Sequence, residues 1–355
     1  MRSTIIAEAG VNHNGSLDLA MQLVDVAHAS GANAVKFQTF QAARLVSRAA
    51  PKAEYQKRTT DAAESQFEMI RKLELDETAH RRLIERCAEK GIEFISTPFD
   101  LESVELLAKL KVRRLKLPSG ELTNGPLLWS AARTGLPTIL STGMARLGEI
   151  EEALGALALG YLGVKPKSRH SLMETFASAG GQELLREKVT LLHCTTEYPA
   201  PAAEVNLRAM DTLAQAFGLP VGLSDHTEGI AVAIAAVARG ATVIEKHFTL
   251  DRNLPGPDHK ASLEPGELKA MVAAIRSAEA AMGSPIKGPV DAERKNMPVA
   301  RKSLVAIKQI KSGEIFTSEN LGVKRPGTGI SPMDYWDKLG QSATRDYAPD
   351  DPITS

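Results

Sequence analysis

VGLSDHTEGIAVAIAAVARGATVIEKHF, residues 221–248, holds one full turn of the alternation that organises this chain. Two short runs, Pro220–Ser224 and Thr242–Lys246, flank an Ala-rich stretch at helical spacing, Gly229–Ala238. Each run ends in groups able to do chemistry: Asp225 and His226 after the first, His247 after the second. Six more runs of this kind precede it, at Thr4–Ala9, Ala34–Gln38, Glu93–Thr97, Arg114–Leu117, Pro137–Ser141 and Val189–Cys194. Helical candidates lie between them at Leu17–Ser30, Ser65–Lys90, Leu101–Lys109, Gly125–Thr134, Leu147–Leu159 and Leu207–Phe217, and Pro265–Met282 follows the eighth run. Eight strands, each followed by a helix, predict an α/β fold of the (β/α)8 TIM-barrel type. The competing arrangement is an open doubly wound sheet, which gathers its polar groups at one crevice. Here polar groups end nearly every run, and no GxGxxG fingerprint follows a strand, so the barrel is preferred.

The pattern divides the chain into a barrel domain over 1–283, a Gly/Pro-rich linker over 284–298 and a small β-rich module over 299–355. The module carries a β-like run at Ser303–Ile307 and the turn signals KSGE, RPGTG and ISP. Gly160–Gly181, polar and Gly-flanked, breaks the regular spacing and reads as an inserted loop.

Composition excludes several classes. The 355 residues carry 43 basic and 43 acidic side chains, so no global field attracts a polyanion, and no nucleic-acid partner is expected. With 43% hydrophobic residues the chain has a core to bury, and no apolar run is long enough to span a membrane. Two cysteines, Cys87 and Cys194, make no disulfide scaffold, and the opening MRSTIIAEAG is unlike a secretory leader. A cytoplasmic protein is expected.

His226 and His247 lie 21 residues apart, one helix and one strand, so neighbouring strands can bring both imidazoles to one rim. They would hold a divalent metal there, with Asp225 as an outer partner, or else simply cap their strands. Lys36 and Lys116 sit inside strand-like runs, where an ammonium needs an anion. Ser119 in PSGE and Thr142 in STGM add hydroxyls flanked by small residues, which favours a phosphate or carboxylate site. Glu8, Glu121 and Asp258 are candidate acids, bases or hydroxyl binders. Arg325, in the Gly/Pro-rich loop VKRPGTGISP, gains a role only from an outside argument.

That argument comes from order. AEAGVNHNG, VKFQTF, STPFD, LPSGE, STGM, HCTTEYPAP, GLSDHT, EKHFT, GPDHKASLEP and KRPGTGISP, in this succession, resemble the N-acetylneuraminate (sialic acid) synthase family over nearly the whole chain. The resemblance implies a TIM barrel followed by a β-clip domain of the antifreeze-like (SAF) type. It also implies a homodimer in which one subunit's small domain covers the other's barrel mouth. The implied reaction condenses phosphoenolpyruvate with an N-acylated hexosamine aldehyde, releasing phosphate. By the same resemblance His226 and His247 are ligands of Mn2+ or Mg2+. Lys36, Thr97, Lys116, Ser119, Thr142 and Ser224 match phosphoenolpyruvate-binding positions. Gln38, Glu121, Tyr198 and Asp258 match sugar contacts, Glu8 the acid beside the reacting carbons, and Arg325 an arginine supplied in trans to the N-acyl group. Thr196 stands where some members have Asn near the phosphate. The resemblance implies N-acetylmannosamine as acceptor and N-acetylneuraminate as product. The alternative is 2,4-diacetamido-2,4,6-trideoxymannose, giving N,N'-diacetyllegionaminate. A metal-dependent barrel hydrolase and a glycan- or ice-binding protein are the other classes. The paired lysines weigh against the first and the charged tail (Lys311, Glu314, Lys324) against the second.

Overall fold

A computed structural model of the chain describes residues 2–48, 50–52, 60 and 64–354. It divides into two compact units, Met1–Gly283 and Ser284–Ser355.

The first unit is a (β/α)8 barrel. Its strands are β1 (Thr4–Gly10), β2 (Ala34–Thr39), β3 (Glu93–Pro98), β4 (Leu115–Leu117), β5 (Thr138–Ser141), β6 (Val189–Cys194), β7 (Val221–Asp225) and β8 (Val243–His247). All hydrogen-bonded neighbours are parallel, in the order β3-β2-β1-β8-β7-β6-β5-β4, and β3 lies against β4 to complete the ring. The strand runs read from sequence fall within one or two residues of these bounds.

Side chains alternate across each strand, so every second residue enters the barrel. Outward residues such as Ile5, Ala7, Val35, Phe37, Leu115, Leu117 and Leu223 bury themselves against the surrounding helices. Inward residues Ile6, Ala34, Ile95, Ile139, Leu192 and Val243, one from each of six strands, form a separate apolar plug across the barrel floor. The next inward positions are Glu8, Lys36, Thr97, Ser224 and Glu245, two residues nearer the strands' C-terminal ends. A dry floor therefore carries a charged tier.

At β7 the floor position is Gly222, where a Cβ would stand 2.3 Å from the Val243 carbonyl oxygen. Backbone cannot yield as a side-chain tip can. Gly222→Ala is expected to destabilise the barrel by about 1–3 kcal/mol, read as a lower urea midpoint with unchanged slope.

The helices follow local rules. Ser16 caps Leu17–Ala29 by accepting from the Leu19 amide, and Asp76 caps Glu77–Lys90 by accepting from Ala79. Two expectations are corrected. The segment read as one helix, Ser65–Lys90, is two, Gln66–Arg71 and Glu77–Lys90, because Asp76 starts a new helix. Gly160–Gly181 is largely helical rather than a loop. Leu147–Tyr161 runs into it, and Ser168 and Ser178 cap Arg169–Ala177 and Ala179–Lys188. None of the residues of Arg169–Ala177 is fully buried, so its sequence lacks a strong apolar stripe.

In the second unit β9 (Ser303–Ala306) pairs antiparallel with β10 (Leu321–Lys324). Leu304, Ile310, Phe316, Leu321, Tyr347 and Ile353 form its own core. The stretch read as a linker belongs to this unit and contains the short helices Asp291–Arg294 and Met297–Ala300. Among the described residues no helix is long and apolar enough to cross a membrane.

Candidate active site

A cavity of about 420 Å³ opens at the C-terminal ends of the barrel strands. Glu8, Lys36, Gln38, Thr97, Lys116, Ser119, Tyr198, Ser224, His226, His247 and Asp258 all line it, gathered from β1–β4, from β7 and β8, and from the segments that follow β4, β6, β7 and β8.

Its base is a buried ion cluster. The Lys36 ammonium lies 2.7 Å from Glu8 Oε2 and 3.6 Å from Glu245 Oε2, and donates to Thr97 Oγ1 at 3.0 Å. Lys116 lies 3.3 Å from Glu245 Oε1, which also accepts from Ser224 Oγ at 2.6 Å. Glu245 is the member of this cluster that sequence reading missed. Counting by twos along IEKHF from His247 puts Glu245 on the same inward face, and that signal was present. Burial disfavours its charge, but Lys116 and Lys36 outweigh that and hold its carboxyl well below the usual range. Burial pushes Glu8 up to about 7 against the pull of Lys36. Burial also pulls Lys116 down, while for Lys36 the carboxylates Glu245 and Glu8 overcome it and raise the ammonium.

Beside the cluster stand the imidazoles of His226 and His247, ring centres 5.6 Å apart. His226 Nδ1 donates to the Thr195 carbonyl at 2.7 Å, which fixes the tautomer with a lone pair on Nε2. The Ser224 hydroxyl proton is given to Glu245, so it does not occupy that lone pair. His247 Nδ1 is buried with no hydrogen-bond partner among the described residues. Burial drives both rings to the neutral form; His226 and Lys36 reinforce this at His247. The Tyr198 ring packs on His226 at 4.2 Å and edge-on to His247 at 5.5 Å.

Other expected residues lie differently. Asp225 is not an outer partner of the imidazoles. It points out of the barrel, accepting from Lys246 Nζ at 2.8 Å and from the Thr227 amide and hydroxyl. The alternation that turns His226 inward turns Asp225 outward. Thr142 and Glu121 do not line the cavity: the Thr142 hydroxyl donates to the Leu192 carbonyl, and Glu121 accepts from Asn124 Nδ2 at 2.6 Å. Ser119 receives the Gly143 amide at 2.9 Å and contacts Cys194 Sγ at 3.0 Å. A Cβ at Gly143 would stand 2.5 Å from Thr196 Oγ1 and 2.8 Å from Ser119 Oγ, so only glycine fits between these side chains. Asp258 is held by its backbone, whose carbonyl accepts from Ser262 Oγ at 2.6 Å, while burial raises its carboxyl to about 6. Arg325 belongs to the second unit, exposed, with Nε donating to the Ala300 carbonyl.

Two buried lysines, two opposing carboxylates and a pair of imidazoles gather at the C-terminal end of the barrel, the face at which TIM-barrel enzymes assemble their active sites. Comparison with known proteins takes this further. Residues 23–287 match the NeuB family and residues 301–355 the SAF domain. The chain belongs to the NeuB family and is a synthase, a transferase that forms a carbon–carbon bond. It is 53% identical over 352 residues to the N,N'-diacetyllegionaminic acid synthase of Campylobacter jejuni, covering 99% of both chains. It is 47% identical to the protein of the same name from Legionella pneumophila, over 96% of this chain and 90% of that one. The crystal structure of an N-acetylneuraminic acid (sialic acid) synthetase from Leptospira borgpetersenii in complex with citrate superposes with a TM-score of 0.66 at 33% identity, covering 83% of this chain and 90% of that one.

Proposed function

We propose that this chain condenses phosphoenolpyruvate with 2,4-diacetamido-2,4,6-trideoxymannose and water to give N,N'-diacetyllegionaminate and phosphate. The observation that carries the reaction class is the pairing of Lys36 and Lys116 with the neutral His226–His247 pair in one buried cavity. The resemblance alone implied N-acetylneuraminate. The two relatives of 53% and 47% identity favour the second product instead.

The charge balance makes room for a cation. Lys36 and Lys116 are already opposed by Glu8 and Glu245, so a multiply charged anion placed among them needs further positive charge. The His226 Nε2 lone pair and the buried His247 Nδ1, which has no hydrogen-bond partner among the described residues, support a role for these imidazoles as ligands. These residues fit a divalent metal, Mn2+ or Mg2+, held by His226 and His247. Such a metal supplies Lewis acidity at a carbonyl oxygen.

Around it the side chains divide the work. Lys36 and Lys116 hold the phosphate and carboxylate of phosphoenolpyruvate by hydrogen bonding, with Thr97, Ser119 and Ser224 orienting them. Gln38, Tyr198 and Asp258 receive the sugar, whose N-acyl group meets Arg325 from a second copy in a homodimer. The enol carbon attacks the aldehyde carbon, the C=O π pair moves to the aldehyde oxygen, which takes a proton from solvent to become the new hydroxyl, and the new carbon–carbon bond leaves positive charge on the carbon bearing phosphate. Water adds there, Glu8 accepts its proton, and the tetrahedral intermediate collapses with C–O cleavage to the keto acid and phosphate. A carboxyl that titrates near 7 is matched to that proton transfer.

The test is phosphate release from phosphoenolpyruvate with Mn2+, with N-acetylmannosamine or 2,4-diacetamido-2,4,6-trideoxymannose offered in parallel. The diacetamido sugar is expected to be preferred about 10-fold or more in kcat/KM. Preference for N-acetylmannosamine returns the assignment to N-acetylneuraminate, and release with neither from folded, metal-loaded protein overturns the reaction class.

A further inference from the structure

The cavity is not polar all round. Climbing β2 by twos, the inward side chains are Ala34, Lys36, Gln38 and then Phe40; on β3 they are Ile95, Thr97 and then Phe99. β1 ends at a register shift between Glu8 and Gly10 and delivers Val11 at the same height. Phe40 and Phe99 meet edge to face, with ring centres 6.0 Å apart. Helix Gln66–Arg71 and the turn after it add Met69, Ile70 and Leu73, which pack with Val11, Phe40 and Phe99 into one apolar cluster or line the cavity beside it. The opposite side, fed by β4–β8, presents Ser119, Thr196, Tyr198, His226 and Asp258 at the mouth. The mouth is thus mainly apolar over β1–β3, where Gln38 and Gln66 are the polar lining residues, and mainly polar over β4–β8.

We infer that this apolar wall is the subsite for the deoxygenated end of the acceptor sugar, and that it selects a C6 methyl over a C6 hydroxymethyl. The inference rests on the reaction proposed above. The aldehyde must sit beside the imidazoles, which follow Ser224 and Glu245 by two residues on the inward face of β7 and β8. The wall stands higher in the mouth, with Phe99 two residues past Thr97 and Phe40 four residues past Lys36. A methyl group placed there loses only apolar contact with water. A hydroxyl there gives up its water hydrogen bonds, and the six wall residues Val11, Phe40, Met69, Ile70, Leu73 and Phe99 offer no side-chain group to replace them. A pocket of this kind separates such a pair by about 10- to 100-fold.

The cleanest probe pair differs at C6 alone: 2-acetamido-2,6-dideoxymannose against N-acetylmannosamine, with the diacetamido sugar run alongside. The wild-type enzyme is expected to favour the 6-deoxy member about 10-fold or more in kcat/KM, and Met69→Gln and Ile70→Thr to cut that ratio about 10-fold. The KM for phosphoenolpyruvate should not move in either variant, and Met69→Leu should keep the wild-type ratio. If only the diacetamido sugar turns over, its own KM is the readout: a rise of about 10-fold in Met69→Gln and Ile70→Thr, absent in Met69→Leu, supports the wall. Equal use of the two probes by wild type, or polar variants that leave the ratio and the diacetamido KM unchanged, overturns the wall assignment while leaving the reaction intact. No phosphate release with any of the three sugars overturns the reaction itself.

Discussion

In His247→Ala, metal-dependent phosphate release is expected to fall about 10³-fold or more, the scale on which a preorganised electrophilic group acts. His247 ends β8 inside the cavity, opposite Glu8 in the β1–β8 register, and its Nδ1 has no hydrogen-bond partner among the described residues. Replacing it removes half of the imidazole pair without breaking a hydrogen bond that the fold uses. Activity loss should therefore come with a near-normal melting temperature and with loss of Mn2+ binding in calorimetry. His226→Ala should lose activity equally but also lower stability, since it strands the Thr195 carbonyl that now receives the His226 Nδ1 proton. Chelation of wild-type protein, followed by return of Mn2+, should reproduce and then reverse the His247→Ala defect. Full activity in either variant defeats the metal assignment.

Glu8→Gln is expected to lower kcat by about 10²- to 10⁴-fold, the range of a lost general base. The amide keeps the shape of the carboxyl but takes no proton. The sign with pH follows from burial, which raises the Glu8 carboxyl to about 7. If Glu8 works as the proton acceptor, wild-type kcat/KM climbs as pH rises through about 7 and then levels, because only the ionised form is competent. In Glu8→Gln that limb should vanish. A variant that keeps the limb assigns it to another group. A variant with normal kcat removes Glu8 from the chemistry.

The barrel was legible because each strand writes the same phrase: a β-branched run that buries both faces, then a polar residue at its C-terminal end. His226, His247, Lys36 and Lys116 could be found because polar side chains stand out at such positions. Residues that depend on inward or outward phase were harder. Asp225 adjoins His226 and Glu245 lies two residues before His247, yet Asp225 faces the helices and Glu245 the cavity. Only the period of two, anchored on His226 and His247, separates them. The two helices after Ser168 and Ser178 escaped notice because a solvated helix has little apolar periodicity, although both caps were visible as serines. The apolar wall could not be read at all from one dimension. Val11, Phe40 and Leu73 look like ordinary core residues until the strand ends bring them to one side of the mouth.

The plug of Ile6, Ala34, Ile95, Ile139, Leu192 and Val243 closes the barrel beneath the reacting groups, with Gly222 leaving no gap because its own backbone lies against Val243. The charged tier is therefore a blind alley rather than a corridor. The cavity that holds Glu8 opens at the C-terminal ends of the strands, so in the reaction proposed above the proton Glu8 accepts leaves toward that mouth. Among the described residues, protons, phosphate and product in that reaction share the same mouth as the incoming sugar.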